Sequence, residues 1–304
     1  PALRARAEIV HCDVSISMAE KPSVALRTGR RTSSMWKALE AVRDGSADAA
    51  VSAGNTGALM AMAKFCVRPI AGLGRPALAA RWPTLSGECI VLDLGASIGA
   101  DADHLVDMAI LGAAMARALY RRDRPRVGLL NIGAEEVKGL APIQEAGKRL
   151  RAADLPFLDY AGFVEADGIG KGAVDVVVSE GFAGNIALKS AEGTARQVGQ
   201  YLREAFEGGL RGRLAYLLLR PALERMRAKA DPRRVNGGVF LGLDGVVIKS
   251  HGGADPEAMA NAIRVGADMA REGLTGKIKA MLDGAGAARA ASEGGDRETP
   301  GDGT

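Results

Sequence analysis

Apolar positions along the chain fall into two patterns: short continuous runs, and longer stretches in which they recur every three to four residues. The short runs are "AEIVHC" (7–12), "DAAVS" (48–52), "CIVLDLG" (89–95), "RVGLLNIG" (126–133), "FLDYAGFV" (157–164), "DVVVS" (175–179) and "GVVIKS" (245–250). Each has the length of a strand. The periodic stretches "SSMWKALEAVRDG" (33–45), "TGALMAMAKFCV" (56–67), "HLVDMAILGAAMARALY" (104–120) and "APIQEAGKRLRAA" (141–153) predict helices, and helices follow the last two strands. Ser33 or Ser34 caps the first helix and Gly45 stops it. Several strands are apolar throughout, which buries both their faces. Repeated strand–helix alternation predicts an α/β fold, a mostly parallel sheet with helices on both sides. In such folds ligands collect outside the carboxyl ends of the strands.

The periodicity supports a single domain over residues 1–282. Residues 283–304, "DGAGAARAASEGGDRETPGDGT", hold almost no large apolar side chain, and a disordered tail is expected there. The 304 residues are 47% hydrophobic and 25% charged, as in an ordinary globular protein, but only 4% aromatic, so Ala, Leu, Val and Gly must do the packing. Cys12, Cys66 and Cys89 have no paired or metal-type spacing and read as reduced thiols of a cytoplasmic protein. His11, His104 and His251 are equally scattered, so neither a metal nor another cofactor is expected. No apolar run approaches the ~20 residues that span a bilayer.

Four strands end in similar corners: "VSAGNTG" (51–57), "LDLGAS" (92–97), "LNIGAEEVKG" (130–139) and "VSEGFAGN" (178–185). Glycine permits a tight turn and close approach of a ligand. Free amides at a helix start attract anions. Asn55 and Thr56 add polar side chains, and Lys138 and Lys189 add point charges. One such corner is by default a turn. Four of them on one sheet suggest the rim of a pocket for phosphate or an oxyanion. Neither the P-loop pattern nor a dinucleotide fingerprint is present.

The segments "KPSVALRTGRRTSSMWKALEAVRDGSADAAVSAGNTGALMA" (21–61), "DLGAS" (93–97), "GLLNIGAEEVKG" (128–139), "DVVVSEGFAGNIALKSAEG" (175–193) and "GLDGVVIKSHGGAD" (242–255) closely resemble the bacterial phosphate acyltransferase family, PlsX. The resemblance runs in order over about residues 8–275. It implies transfer of a fatty acyl group from acyl carrier protein to inorganic phosphate. The acyl phosphate would then feed a membrane glycerol-3-phosphate acyltransferase in phospholipid synthesis. It also implies a homodimer and a Rossmann-like three-layer α/β/α sandwich related to isocitrate dehydrogenases and phosphate acetyltransferases. The family's usual amino-terminal strand with a "DAMGGD" corner has no counterpart here and is expected to be missing. Ser97 stands where the family commonly has Asn, and Glu180 where Asp is frequent.

This chemistry suits the corners. Phosphate is itself a nucleophile and a thiolate leaves readily, so the site must position phosphate and stabilise an oxyanion. Ser52, Gly54, Asn55, Thr56 and Gly57 are the leading candidates for that contact, with Asn131, Lys138, Asn185 and Lys189 behind them. His251 is a candidate to protonate the thiolate or donate to the oxyanion; its alternative is a structural histidine at a strand end.

The whole chain carries only +4, which argues against a nucleic-acid partner, yet residues 211–234 alone carry about +6. "GLRGRLAYLLLRPALERMRAKADPRR" (209–234) predicts a pair of basic amphipathic helices hinged at Pro221. Leu210, Leu214, Leu217 and Leu218 form a stripe edged by Arg211, Arg213, Arg220 and Arg225. Such a helix suits the anionic inner face of the cell membrane, an acidic carrier protein, or a dimer or core contact. Two other functions stay open: a short-chain acyl-CoA phosphate acyltransferase, and a non-catalytic membrane-associated scaffold of lipid synthesis.

Overall fold

The structure is a computed structural model that describes residues 6–207, 209–229, 231, 233 and 235–295. The chain opens with α1 (Pro22–Gly29) and α2 (Ser34–Arg43), then β1 (Ala49–Ser52), α3 (Thr56–Cys66), β2 (Ala77–Thr84) and β3 (Gly87–Leu92). The central helix α4 (Ala102–Tyr120) follows, then β4 (Arg126–Leu130), α5 (Ala141–Ala153), β5 (Asp159–Val164), α6 (Ala166–Lys171) and β6 (Val176–Val178). A long pair, α7 (Gly181–Glu207) and α8 (Leu210–Lys229), precedes β7 (Gly238–Leu241), β8 (Val246–Lys249), α9 (Pro256–Arg271) and α10 (Leu274–Gly295).

All eight strands form one sheet in the order β1-β8-β7-β2-β3-β6-β4-β5. Four of its seven pairings are parallel. The antiparallel ones, β8 with β7, β7 with β2 and β2 with β3, stand together in the middle. Three reversals in succession make β1 and β8 run opposite to β3, β6, β4 and β5.

Alternate side chains of the strands fill both faces. Ile90, Leu92, Val176, Val178, Val246 and Ile248 face α4, α5, α9 and α10 on one side. On the other side Ala50, Phe240 and Val247 pack beneath α2 and α3, and Cys89, Val91 and Val177 pack with Ile169 of α6. The expected three-layer α/β/α sandwich is therefore the observed one. Fourteen of the nineteen residues of α4 are buried. It lies so close to the sheet that a Cβ on Gly112 would stand 2.5 Å from Val176 Cγ1.

Four expectations need correction. Residues 7–12 form no strand: they are largely exposed and have no ladder partner among the described residues, and an apolar run becomes a strand only beside one. The expected disordered tail is helical as far as Gly295 because alanine, the best helix former, lets α10 continue and Ala285 packs into the core; residues 296–304 lie outside the described residues. The expected hinge at Pro221 is absent, and α8 passes through it as one helix. Proline there removes a single backbone bond on an exposed helix, a cost of about 3 kcal/mol that the remaining bonds tolerate. Finally, β2 and β7 were not expected. Pro83 and Arg81 make β2 read as a loop, and "GVFL" is only four residues long.

Candidate functional site

The reversal in mid-sheet separates the four corners. The corner after β1 leaves one end of the sheet, as does the loop after β8, and those after β3, β6 and β4 leave the other. A single rim holding all four is thus corrected by the antiparallel strands β7 and β2 between them.

At the corners after β3 and β6 the amides are already occupied by the chain's own carboxylates. Asp93 is fully buried and accepts from the amides of Leu78, Gly95, Ala96 and Ser97 at 2.8–3.1 Å and from the Ser97 hydroxyl at 2.7 Å. Glu180 accepts from the amides of Gly99, Phe182 and Ala183 at 3.2, 3.1 and 2.6 Å, so it fills the amino-terminal pole of α7. Gly181 and Gly184 let α7 start directly on this loop: a Cβ on either would fall within 2.0 Å of a carbonyl oxygen of Ser97 or Asp93. Asn185 is exposed and lies against Gly95. Asn131 is buried and donates to the carbonyl of Lys138 at 3.0 Å, which closes its own loop. Lys138 is exposed, and Lys189 is paired with Glu192 at 2.9 Å. A strand end so supplied with carboxylates repels a phosphate dianion.

The β1/β8 end is different. Ser52 and Lys249 are register partners on adjacent parallel strands, so their side chains emerge on the same face, that of α2 and α3. Lys249 is only 9% exposed. Its ammonium donates to the carbonyl of Ser250 and has no carboxylate partner among the described residues. Burial pushes its pKa below the ordinary lysine value, the mark of a charge that lacks a counter-ion. The Ser52 hydroxyl accepts from the Gly54 amide at 3.2 Å and keeps its own proton free to donate. Gly57 admits Pro22 closely, since its Cβ would stand 2.7 Å from Pro22 Cγ. The amides of Thr56 and Gly57, in the first turn of α3, have no partner among the described residues.

His251 is exposed at the end of β8. Its backbone amide donates to Asn236 Oδ1 at 2.9 Å, and its Nδ1 accepts from the Gly253 amide at 3.1 Å. An accepting Nδ1 places the proton of the neutral ring on Nε2, which remains a free donor. Asn236 also donates to Ser250 Oγ and the Ala258 carbonyl at 2.9 and 2.8 Å, and so fixes the loop.

The Asn55 side chain is committed to the fold. Its Oδ1 accepts from the Ala58 amide at 3.0 Å as the cap of α3, and its Nδ2 donates to the carbonyls of Met18 and Glu20, both at 2.9 Å. Both ends of the side-chain amide are spent on a cap and a clasp, which leaves the expected phosphate contact no spare donor on this side chain. Lys249, by contrast, was missed from the sequence. The signal was a charged residue closing the apolar run "GVVIK".

Beyond Gly184 no described residue of α7 or α8 is buried. Leu214, Leu217 and Leu218 are 60, 64 and 73% exposed beside Arg211, Arg213, Arg220 and Arg225. Arg220 pairs with Glu224 at 2.8 Å. No described helix is long and apolar enough to cross a membrane.

Comparison with known proteins agrees with this architecture. A family model described as "Fatty acid synthesis protein" matches residues 1–277. The chain is 60% identical over 283 residues to a phosphate acyltransferase of Chelativorans sp. (strain BNC1), covering 93% of this chain and 81% of that protein. It is 62% identical over 277 residues to one of Rhizobium rhizogenes, covering 91% and 80%. In fold it is similar to the EutD phosphotransacetylase from Staphylococcus aureus, with a TM-score of 0.55 at 19% identity over 78% of this chain and 67% of the other. It is likewise similar to a branched-chain phosphotransacylase from Enterococcus faecalis V583, with a TM-score of 0.52 at 14% identity over 78% of each. With a model matched over nearly its whole length and relatives at this identity, the chain belongs to the bacterial phosphate acyltransferase family.

Proposed function

We propose that this chain transfers a fatty acyl group from the thioester of acyl carrier protein to inorganic phosphate, and that phosphate binds at the carboxyl ends of β1 and β8. The observation that carries the position is Lys249, a buried ammonium without a counter-ion among the described residues, on the same face as Ser52, the strand end from which the chain runs into the unpaired amides of Thr56 and Gly57. A phosphate dianion supplies the missing charge and takes up the free donors.

The chemistry then needs no covalent enzyme intermediate. A phosphate oxygen attacks the thioester carbonyl, the carbon–sulfur bond breaks after a tetrahedral oxyanion, and the acyl group leaves as acyl phosphate. Lys249 and the α3 amides orient the nucleophile. The Ser52 hydroxyl donates to phosphate or to the oxyanion. His251, whose Nδ1 accepts from the Gly253 amide, gives its Nε2 proton to the departing thiolate in this reading.

The α7–α8 pair supports the remaining partners. Its unpacked leucines beside arginines suit the anionic inner face of the cell membrane, where the product meets a membrane glycerol-3-phosphate acyltransferase. A homodimer is proposed alongside. The test is to incubate the protein with labelled phosphate and either long-chain acyl carrier protein or short-chain acyl-CoA. Labelled long-chain acyl phosphate supports the reading. Label only from the short-chain thioester, or none with vesicle binding retained, refutes it.

A further inference from the structure

A cavity away from the proposed phosphate position lies between the carboxyl ends of α1 and α3 and along α2. It measures about 350 Å³ and is lined by Arg30, Arg31, Arg43 and Arg68 together with Trp36 and Phe65. That volume falls within the range of small-molecule sites. Only Arg43 has acidic partners, Asp44 at 2.8 Å and Glu40 at 3.7 Å. Arg30, Arg31 and Arg68 have none among the described residues. Arg30 is held over the Trp36 ring, 5.7 Å from its centroid, and Phe65 stands 56% exposed at the edge.

The backbone adds to this. Arg31 and Arg68 sit at φ values of 66° and 70°, a left-handed conformation just beyond the ends of α1 and α3. Glycine adopts it freely and is the common residue there, whereas a side chain costs roughly 1–2 kcal/mol. Cations do favour helix carboxyl ends. That effect alone does not explain three unpaired guanidiniums around one concavity. Another basic cavity shows the contrast: there Arg121 and Lys277 face Glu272 at 4.0 and 3.0 Å, and Arg122 faces Asp175 at 2.7 Å.

We infer that the cavity beneath Arg30, Arg31 and Arg68 binds a small molecule carrying two or more phosphate groups. Guanidinium forks match phosphate oxygens in pairs, and three unpaired cations exceed what a single phosphate neutralises. A concave site favours a small ligand over a protein surface. The eleven residues of α3 hold this cavity about 16 Å from the amides of Thr56 and Gly57, so the two anion sites are distinct.

Calorimetric titration of the whole chain with inorganic tripolyphosphate tests this. The double variant Arg31→Gly, Arg68→Gly removes two guanidiniums while giving both positions the residue their backbone favours, so its melting temperature should not fall. Wild type should bind saturably, the double variant at least about tenfold more weakly, and Lys249→Met as wild type does. Equal affinity of wild type and the double variant overturns the inference. So does loss of binding in Lys249→Met, which places the anion at the other site, or absence of saturable binding. If the double variant loses affinity for acyl carrier protein and keeps it for tripolyphosphate, the arginines form a protein-docking surface and the small-ligand reading fails.

Discussion

Replacing Lys249 by methionine separates binding from folding at one position. Methionine keeps nearly the same length and removes the charge. In the folded chain the ammonium is 9% exposed, donates to the carbonyl of Ser250 and faces no carboxylate among the described residues. Its burial disfavours the charged form, so an apolar replacement should leave stability unchanged or raise it. Toward phosphate the sign reverses. A charge-assisted hydrogen bond contributes roughly 1.5–3 kcal/mol, which corresponds to about 10- to 150-fold in affinity or in kcat/KM for phosphate. The assay follows acyl phosphate formation from long-chain acyl carrier protein while phosphate is varied, beside urea melts of both proteins. The expected result is a large loss in kcat/KM for phosphate with an equal or higher urea midpoint. Unchanged phosphate kinetics would refute the reasoning. So would a collapse of stability, because Lys249 would then be a structural residue.

Three further outcomes are expected. Asn55→Ala should destabilise the fold by on the order of 1–3 kcal/mol, since it removes the α3 cap and the clasp on residues 18–20, whereas Asn55→Asp keeps the cap and should recover part of the loss; equal urea midpoints for Asn55→Ala and wild type would contradict this. Burial holds the His104 imidazole below its ordinary 6.5, so the fold favours the neutral ring; the stability this gives is whole above about pH 6.5 and is lost as pH falls through the lowered value. Between about pH 7.5 and 5.5 the urea midpoint of wild type should therefore drop more than that of His104→Leu, and parallel curves would count against it. Wild type should float with anionic vesicles and the pair Leu217→Glu, Leu218→Glu should not, and equal flotation by both would remove α8 from membrane contact.

Much of the fold was legible because its signals are local. Ser33 caps α2 and accepts from the Trp36 amide, as its place before the periodic run implies. β1, β3, β4, β5, β6 and β8 coincide with apolar runs, and α4 with the most regular period. What was hidden depends on partners distant in sequence. β2 and β7 exist because each finds an edge to pair with, and no local pattern announced them. Their direction decides which corners share an end of the sheet. The site was affected more than the fold. "SAGNTG" does hold free amides, but Asn55 turns inward to carbonyls that precede it by more than thirty residues. "DLGAS" and "SEGF" looked like anion cradles, yet Asp93 and Glu180 fill them from within. Lys249 carries a meaning that its letter alone does not, because only the packed structure shows that no acid among the described residues answers its charge.

The most direct test of the account is a crystal structure of the enzyme with phosphate bound. The ion should lie within hydrogen-bond distance of Lys249 Nζ and of the amides of Thr56 and Gly57, with the Ser52 hydroxyl beside it. Phosphate at the other end of the sheet, among Asp93, Glu180 and Asn185, would contradict it.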